Sequence, residues 1–180
     1  MGIDEAAKKG AKTLVLGLAN SGGTIAAQWL PGILNAIESG MDVASGLHQK
    51  LESIKEIKNH AEKFGVKLIN VRHPNELFQT GTGVRRTGKR LLTVGTDCSV
   101  GKMYTSLAIN KKLTELEVSN DFIATGQSGI FIAGKGVAID CVISDFVAGA
   151  VEQLSPNNKI DHWDIIEGQG SLFHPAFAGV

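Results

Sequence analysis

Eight consecutive residues, Gly95-Thr96-Asp97-Cys98-Ser99-Val100-Gly101-Lys102, set glycines, small hydroxyl residues and one lysine directly after the apolar run Leu91-Leu92-Thr93-Val94. That order predicts a strand, a tight turn and a helix N-terminus. Successive backbone N–H groups and the positive end of a helix dipole then face one hollow, and Lys102 adds a full charge. Such a hollow suits a polyphosphate, with Gly95, Thr96, Asp97, Ser99, Val100, Gly101 and Lys102 around it. Gly95 stands six positions before Gly101, one more than in the commonest phosphate loop, and Met103 follows Lys102 where serine or threonine is expected. The second departure matters chemically, because the usual hydroxyl helps hold a magnesium ion and a thioether is a poor ligand for a hard cation. Thr105 is the nearest replacement. The loop therefore argues for phosphate binding more than for ordinary hydrolysis of a magnesium nucleotide.

A second constellation is Glu167-Gly168-Gln169-Gly170, where an acid ends the apolar stretch Trp163 to Ile166 beside glycines that allow close backbone approach. Glu167 either holds a magnesium ion through water or acts as a general base, and both roles require it near Gly101. Amides near Gly168 or Gly126 are candidates to steady an oxyanion. His174 and His48 follow predicted strand ends and are the acid–base candidates among the histidines; His60 reads as a surface side chain. Cys98 and Asp145 have plainer readings, as a small loop residue and a helix N-cap. Ser21 has no nucleophile-elbow spacing and reads as a turn residue.

The elements that must position these groups are legible as a rhythm. Lys12 to Leu18 predicts a buried parallel strand, followed by a helix from Thr24 to Gly40 that Pro31 kinks or restarts. A short strand at 42–46, an amphipathic helix ending at Gly65 and a strand at 66–71 complete a βαβαβ unit. Residues 72–88 carry little periodicity and predict a linker, which gives two domains, 1–80 and 81–180. The second runs strand 90–95, phosphate loop, helix 102–116, strand 121–125, loop 126–129, another βα pattern made of the apolar run 137–143 and a helical stretch from Asp145, and a strand 163–167. The fold class is α/β: a Rossmann-like N-terminal unit, then a P-loop NTPase-like parallel unit expected to be incomplete at its C-terminal end, with ligands at the carboxyl ends of the strands.

Composition narrows the function classes. The 18 basic and 18 acidic residues cancel and form no long run of either sign, which predicts no nucleic-acid and no membrane partner. Arg85, Arg86, Lys89 and Arg90 are the one dense basic cluster and read as a solvated loop. No apolar window reaches the roughly 18 residues of a membrane span, and Met1 to Lys12 holds no apolar leader, so a cytoplasmic location is expected. Cys98 and Cys141 lack metal-type spacing, so neither a disulfide framework nor a metal site is predicted. The expected partner is a small-molecule substrate, with a homo-oligomer left open.

Two of these segments resemble the phosphate loop and the acid-glycine loop of dethiobiotin synthetase and its relatives. A longer resemblance covers nearly the whole chain through Leu16-Gly17-Leu18-Ala19, Gly22-Gly23, Ser45-Gly46-Leu47-His48, Gly81-Thr82-Gly83, the phosphate loop, Ala124-Thr125-Gly126-Gln127-Ser128-Gly129, Ala138-Ile139-Asp140, Ser144 to Ala150 and Glu167 to Pro175. It is similar to the D-glutamate N-acetyltransferase family, long filed as a domain of unknown function, which pairs a Rossmann-like domain with a P-loop domain. The resemblance implies acetyl transfer from acetyl-CoA to the amino group of D-glutamate or a related amino acid, in proteins about twice this length. The coenzyme's diphosphate would lie in the loop, which needs no γ-phosphate and so tolerates Met103. Glu167 or His174 would deprotonate the acceptor amine. The alternatives are an ATP- and Mg2+-dependent ligase or kinase of the dethiobiotin synthetase type, and a nucleotide-binding module without catalysis.

Overall fold

The computed structural model describes residues 2–18, 20–74 and 76–174, and of Ser21 the backbone alone. Ala19 and Pro175, quoted above for the resemblance, lie outside the described residues. The chain divides into two compact units, Met1–His73 and Pro74–Val180. Among the described residues, no helix is long and apolar enough to cross a membrane.

In the first unit, helix α1 (Ile3–Lys8) precedes strand β1 (Thr13–Leu16); helix α2 (Leu30–Glu38), strand β2 (Asp42–Ser45), helix α3 (Lys55–Phe64) and strand β3 (Leu68–Asn70) follow. The strands form one parallel sheet in the order β1-β2-β3, with Thr13 opposite Asp42 and Val43 opposite Leu68. Ile33 and Ile37 of α2, Val43 of β2, Leu51 of the 3-10 turn Leu51–Ser53 and Ile57 of α3 are all but inaccessible to solvent and form one apolar cluster between helices and sheet. The expectation of a fully buried β1 needs correction. It is an edge strand, and Val15 is 50 % exposed. The helix predicted from Thr24 also starts later. Thr24 is extended, a 3-10 turn occupies Ala27–Trp29, and α2 begins at Leu30 with Pro31 in its first turn. Pro31 restarts the helix because its ring excludes a preceding helical turn but fits the first one, where no N–H is needed.

The second unit contains strand β4 (Lys89–Leu92), helix α4 (Lys102–Glu115), strand β5 (Asn120–Ile123), helices α5 (Gln127–Ala133) and α6 (Val147–Leu154) and strand β6 (Trp163–Ile166). Its sheet is parallel in the order β4-β6-β5, with Leu92 and Ile123 both opposite Ile166. Because β6 inserts between the other two, the loop leaving its carboxyl end is flanked by those leaving β4 and β5. This is how parallel α/β sheets gather a site.

Three local expectations change here. Of residues 126–129, read as loop, Gly126 is the N-cap of α5 and 127–129 are its first residues. Residues 137–143 form no strand; Val137 and Ile139 donate their amides to the Ala124 and Thr125 carbonyls beyond β5, and a 3-10 turn takes Ile139–Cys141. Asp145 lies within another 3-10 turn, and Phe146 holds the N-cap of α6 with no side-chain cap. All three are tertiary choices that local pattern does not encode.

Within the basic cluster Arg85 and Lys89 are exposed, but Arg86 and Arg90 are not solvated loop residues. Arg86 donates to the Val151 and Ser155 carbonyls, and Arg90 to Ser155 Oγ and the carbonyls of Arg86, Thr87, Gly88, Ser155 and Pro156. Guanidinium groups with several fixed donors are suited to satisfying clustered carbonyls in this way. Just upstream, Glu152 accepts the amides of Thr82 and Gly83 and the Thr82 hydroxyl, tying the unpatterned segment to α6. Those hydrogen bonds hold the Glu152 carboxyl below its usual range.

Candidate phosphate-binding site

The turn predicted after β4 forms as expected, and its geometry favours an anion. Gly101 is the N-cap of α4 at φ 98, a left-handed conformation that favours glycine, and no side chain caps this end. No acidic residue lies in the first turn of the 14-residue helix. The helix therefore presents its positive end without a competing carboxylate. At Gly95 a Cβ would approach Val100 Cγ2 to 2.5 Å, so a larger residue there would push the Val100 side chain aside. Asp97 shapes the turn, its Oδ1 accepting the Cys98 amide at 2.7 Å.

Lys102 ties the two loops together. Its Nζ donates to the Asp97 carbonyl and to the Gly170 carbonyl, each at 2.8 Å. Its ammonium is held by neutral acceptors rather than by a carboxylate, so its charge remains available to an incoming anion. Thr96, Asp97, Ser99 and Val100 are exposed along the loop, with Ser99 at φ 56, and Gly95 and Gly101 are half-buried. Thr105 is exposed in the first turn of α4.

The buried hydroxyl on α4 is Ser106, which sequence reasoning missed. It bonds Thr93 Oγ1 at 2.7 Å and donates to the Lys102 carbonyl at 3.0 Å. Thr93 in turn accepts the Gly168 amide at 3.2 Å. A hydroxyl pair thus joins β4, α4 and the loop after β6. The available signal was two hydroxyl residues, Thr93 and Ser106, at otherwise apolar positions flanking the loop.

Gly168 packs directly against β4. A Cβ there would fall on the Thr93 carbonyl oxygen, which is backbone and has little room to yield. Gly168→Ala should therefore destabilise the fold by about 1–3 kcal/mol, the usual overpacking range. Urea unfolding measures this, and unchanged stability would show that the close approach is relaxed in solution.

Glu167 sits at the other side of the β6 loop. Its side chain is buried, and Oε2 accepts the Thr125 amide at 3.0 Å and the Gly126 amide at 3.1 Å, at the start of α5. Burial pushes its carboxyl above the usual carboxylate range, and the Thr125 and Gly126 amides and the Gln169 side chain oppose that only in part. The amides expected as oxyanion donors are both engaged: Gly168 N–H on Thr93 Oγ1, Gly126 N–H on Glu167 Oε2. His174 lies in the loop after β6, half-buried, its amide donating to Ser171 Oγ at 2.9 Å. His48 is exposed in the first unit, where Arg72 Nη1 lies 3.3 Å from its Nε2.

A parallel sheet, a glycine-bounded turn after its first strand and a lysine opening the next helix define a P-loop α/β unit, here preceded along the chain by a smaller parallel α/β unit. Residues 2–74 match the family domain described as "Domain of unknown function (DUF1611_N) Rossmann-like domain" and residues 77–180 match "Domain of unknown function (DUF1611_C) P-loop domain". The chain belongs to the DUF1611 family. A protein of Pseudoalteromonas sp named "D-glutamate N-acetyltransferase" is 61 % identical over 178 residues, covering 99 % of this chain and 54 % of that protein. One of Tritonibacter scottomollicae with the same name is 51 % identical over 180 residues, covering 100 % and 54 %. A crystal structure of a DUF1611 family protein from Anabaena variabilis superposes with a TM-score of 0.88 at 35 % identity, covering 97 % of this chain and 52 % of that one. The chain thus spans about half the length of the curated relatives it matches.

Proposed function

We propose that this chain carries the cofactor-phosphate site of an N-acetyltransferase that moves an acetyl group from acetyl-CoA to the amino group of D-glutamate or a similar amino acid. The names of relatives that match the whole of this chain support the reaction. The observation that carries the cofactor assignment is the uncapped end of α4, with Lys102 held between two carbonyls and Met103 where a magnesium-binding hydroxyl would stand. Gly95, Thr96, Asp97, Ser99, Val100, Gly101, Lys102 and Thr105 surround the diphosphate in this reading. Coenzyme A supplies a thioester whose acetyl carbon is open to attack.

The acceptor is an ammonium at neutral pH and must lose a proton before it attacks. Glu167 is the base, and the rise in its pKa brings it nearer the operating pH, where proton transfer is efficient. His174 is the other candidate in the same loop. The nitrogen then bonds to the acetyl carbon, the carbon–sulfur bond breaks, and the thiolate of coenzyme A leaves. The enzyme works in the cytoplasm on small molecules.

Titration of the full chain tests the assignment. Acetyl-CoA should bind without magnesium and be consumed only with an amino acid acceptor. Tight binding and turnover of Mg-ATP, with acetyl-CoA neither bound nor consumed, would instead identify a ligase or kinase of the dethiobiotin synthetase type. Binding of either ligand with no turnover on any acceptor would identify a binding module.

A further inference from the structure

At the amino ends of the strands, opposite the phosphate loop, Asp121, His162 and Asp164 converge. Asp121 of β5 and Asp164 of β6 are register partners, and His162 precedes Asp164 by two residues. In a parallel sheet register partners share a face, and so do residues two apart along a strand, so all three side chains rise on one side. Nε2 of His162 lies 3.2 Å from Asp164 Oδ1 and 3.5 Å from Asp121 Oδ2. The three ligand atoms all lie within 4.8 Å of one another.

The telling atom is Nε2 itself. It is buried and makes no hydrogen bond, although two carboxylates face it. A buried polar atom left so is costly. Around a tetrahedral zinc ion, bond lengths of about 2.0–2.1 Å put neighbouring ligand atoms about 3.3 Å apart, and each lies well off the axis of the other's lone pair. Two oxygens near 3.3 Å that nevertheless fail as hydrogen-bond acceptors are what that arrangement produces.

The surroundings suit a ligand set. His162 Nδ1 lies 2.8 Å from Ser119 Oγ, and in the tautomer whose Nδ1–H donates to that hydroxyl, Nε2 carries the lone pair. Ser155 Oγ donates to Asp164 Oδ2 at 2.5 Å, leaving Oδ1 toward the imidazole. Arg90 Nε stands 3.9 Å from Oδ2, so the two carboxylates and this guanidinium leave one net negative charge for a dication to offset. The Asp121 side chain is 55 % exposed, which opens a path for the ion and room for water ligands.

We propose that Asp121, His162 and Asp164 bind one divalent transition-metal ion of the zinc class, bridging the starts of β5 and β6. One imidazole with two carboxylates is a nitrogen–oxygen set that such ions accept. The site is separate from the phosphate loop and does not depend on the acyl-transfer reading. It departs from the absence of metal expected from cysteine spacing, which is silent on a strand-borne His-x-Asp.

The test uses the full chain, stripped with chelator and titrated with Co2+ while its visible d–d absorption is followed. One equivalent should bind with the intensity of a four-coordinate ion and be displaced by Zn2+. Asp121→Asn, at an exposed position that leaves the core intact, should weaken binding at least ten-fold, and Lys102→Ala should leave it unchanged. Absence of the Co2+ spectrum up to millimolar metal, or equal affinity in Asp121→Asn, overturns the proposal.

Discussion

Lys102→Ala is expected to weaken binding of acetyl-CoA, or of any diphosphate the loop accepts, by about ten- to a hundred-fold. A hydrogen bond to a charged group is worth about 1.5–3 kcal/mol, and the alanine variant removes both that bond and the full charge. A second effect follows from the geometry, since Nζ bonds the Asp97 and Gly170 carbonyls and so joins the phosphate loop to the loop after β6. Its loss should loosen both loops, seen as faster amide exchange at residues 96–101 and 168–171. Lys102→Arg keeps the charge but presents a planar fork where a single ammonium fits, so it should restore affinity only in part. Calorimetric titration at two salt concentrations measures the effect. Undiminished affinity in Lys102→Ala would remove the loop from the site.

If Glu167 is the base of the acyl transfer proposed above, Glu167→Gln is expected to lower kcat by about 10²- to 10⁴-fold, the range a positioned general base supplies, while leaving the KM for acetyl-CoA nearly unchanged. The variant is nearly the same shape, and its amide oxygen can still accept the Thr125 and Gly126 amides, so a purely structural Glu167 would tolerate it. In the parent protein kcat should rise with pH as the buried carboxyl ionises, and that limb should vanish in the variant.

Stability should show the opposite slope. The carboxyl of Glu167 is raised above 4.5 in the fold. Over the window between the unfolded and the folded value, the native state therefore holds a proton that the unfolded chain has lost. Stability contributed by this group falls as pH rises through that window, with no penalty below it and the full penalty above. Denaturation across this range should find the slope reduced in Glu167→Gln. A retained slope and retained kcat together would reduce Glu167 to an anchor for the start of α5.

How much of this was visible beforehand depends on the range of the interaction. The phosphate loop was legible because its parts are consecutive: apolar strand, glycines, lysine and helix lie within about a dozen residues. The β6 loop was legible for the same reason. The hydroxyl bridge from Thr93 to Ser106 and Gly168 was not, because it spans three elements and any one hydroxyl in an apolar run has many readings. The solvated reading failed for Arg86 and Arg90 because an arginine's role depends on the carbonyls it meets, and those of residues 151–156 lie some 65 positions away in sequence.

Taken alone, then, the order of residues determined the α/β class, the parallel strands and the nest after β4, since hydrophobic period, glycine placement and one lysine act over single turns. Only the tertiary structure decided that β6 lies between β4 and β5. That placement brings Glu167 onto the Thr125 and Gly126 amides, sets Gly170 against Lys102 and, at the far ends of the same strands, turns His162 between two aspartates. Strand order is a contest among long-range pairings, settled by the packing of both sheet faces at once, and no local pattern records its outcome.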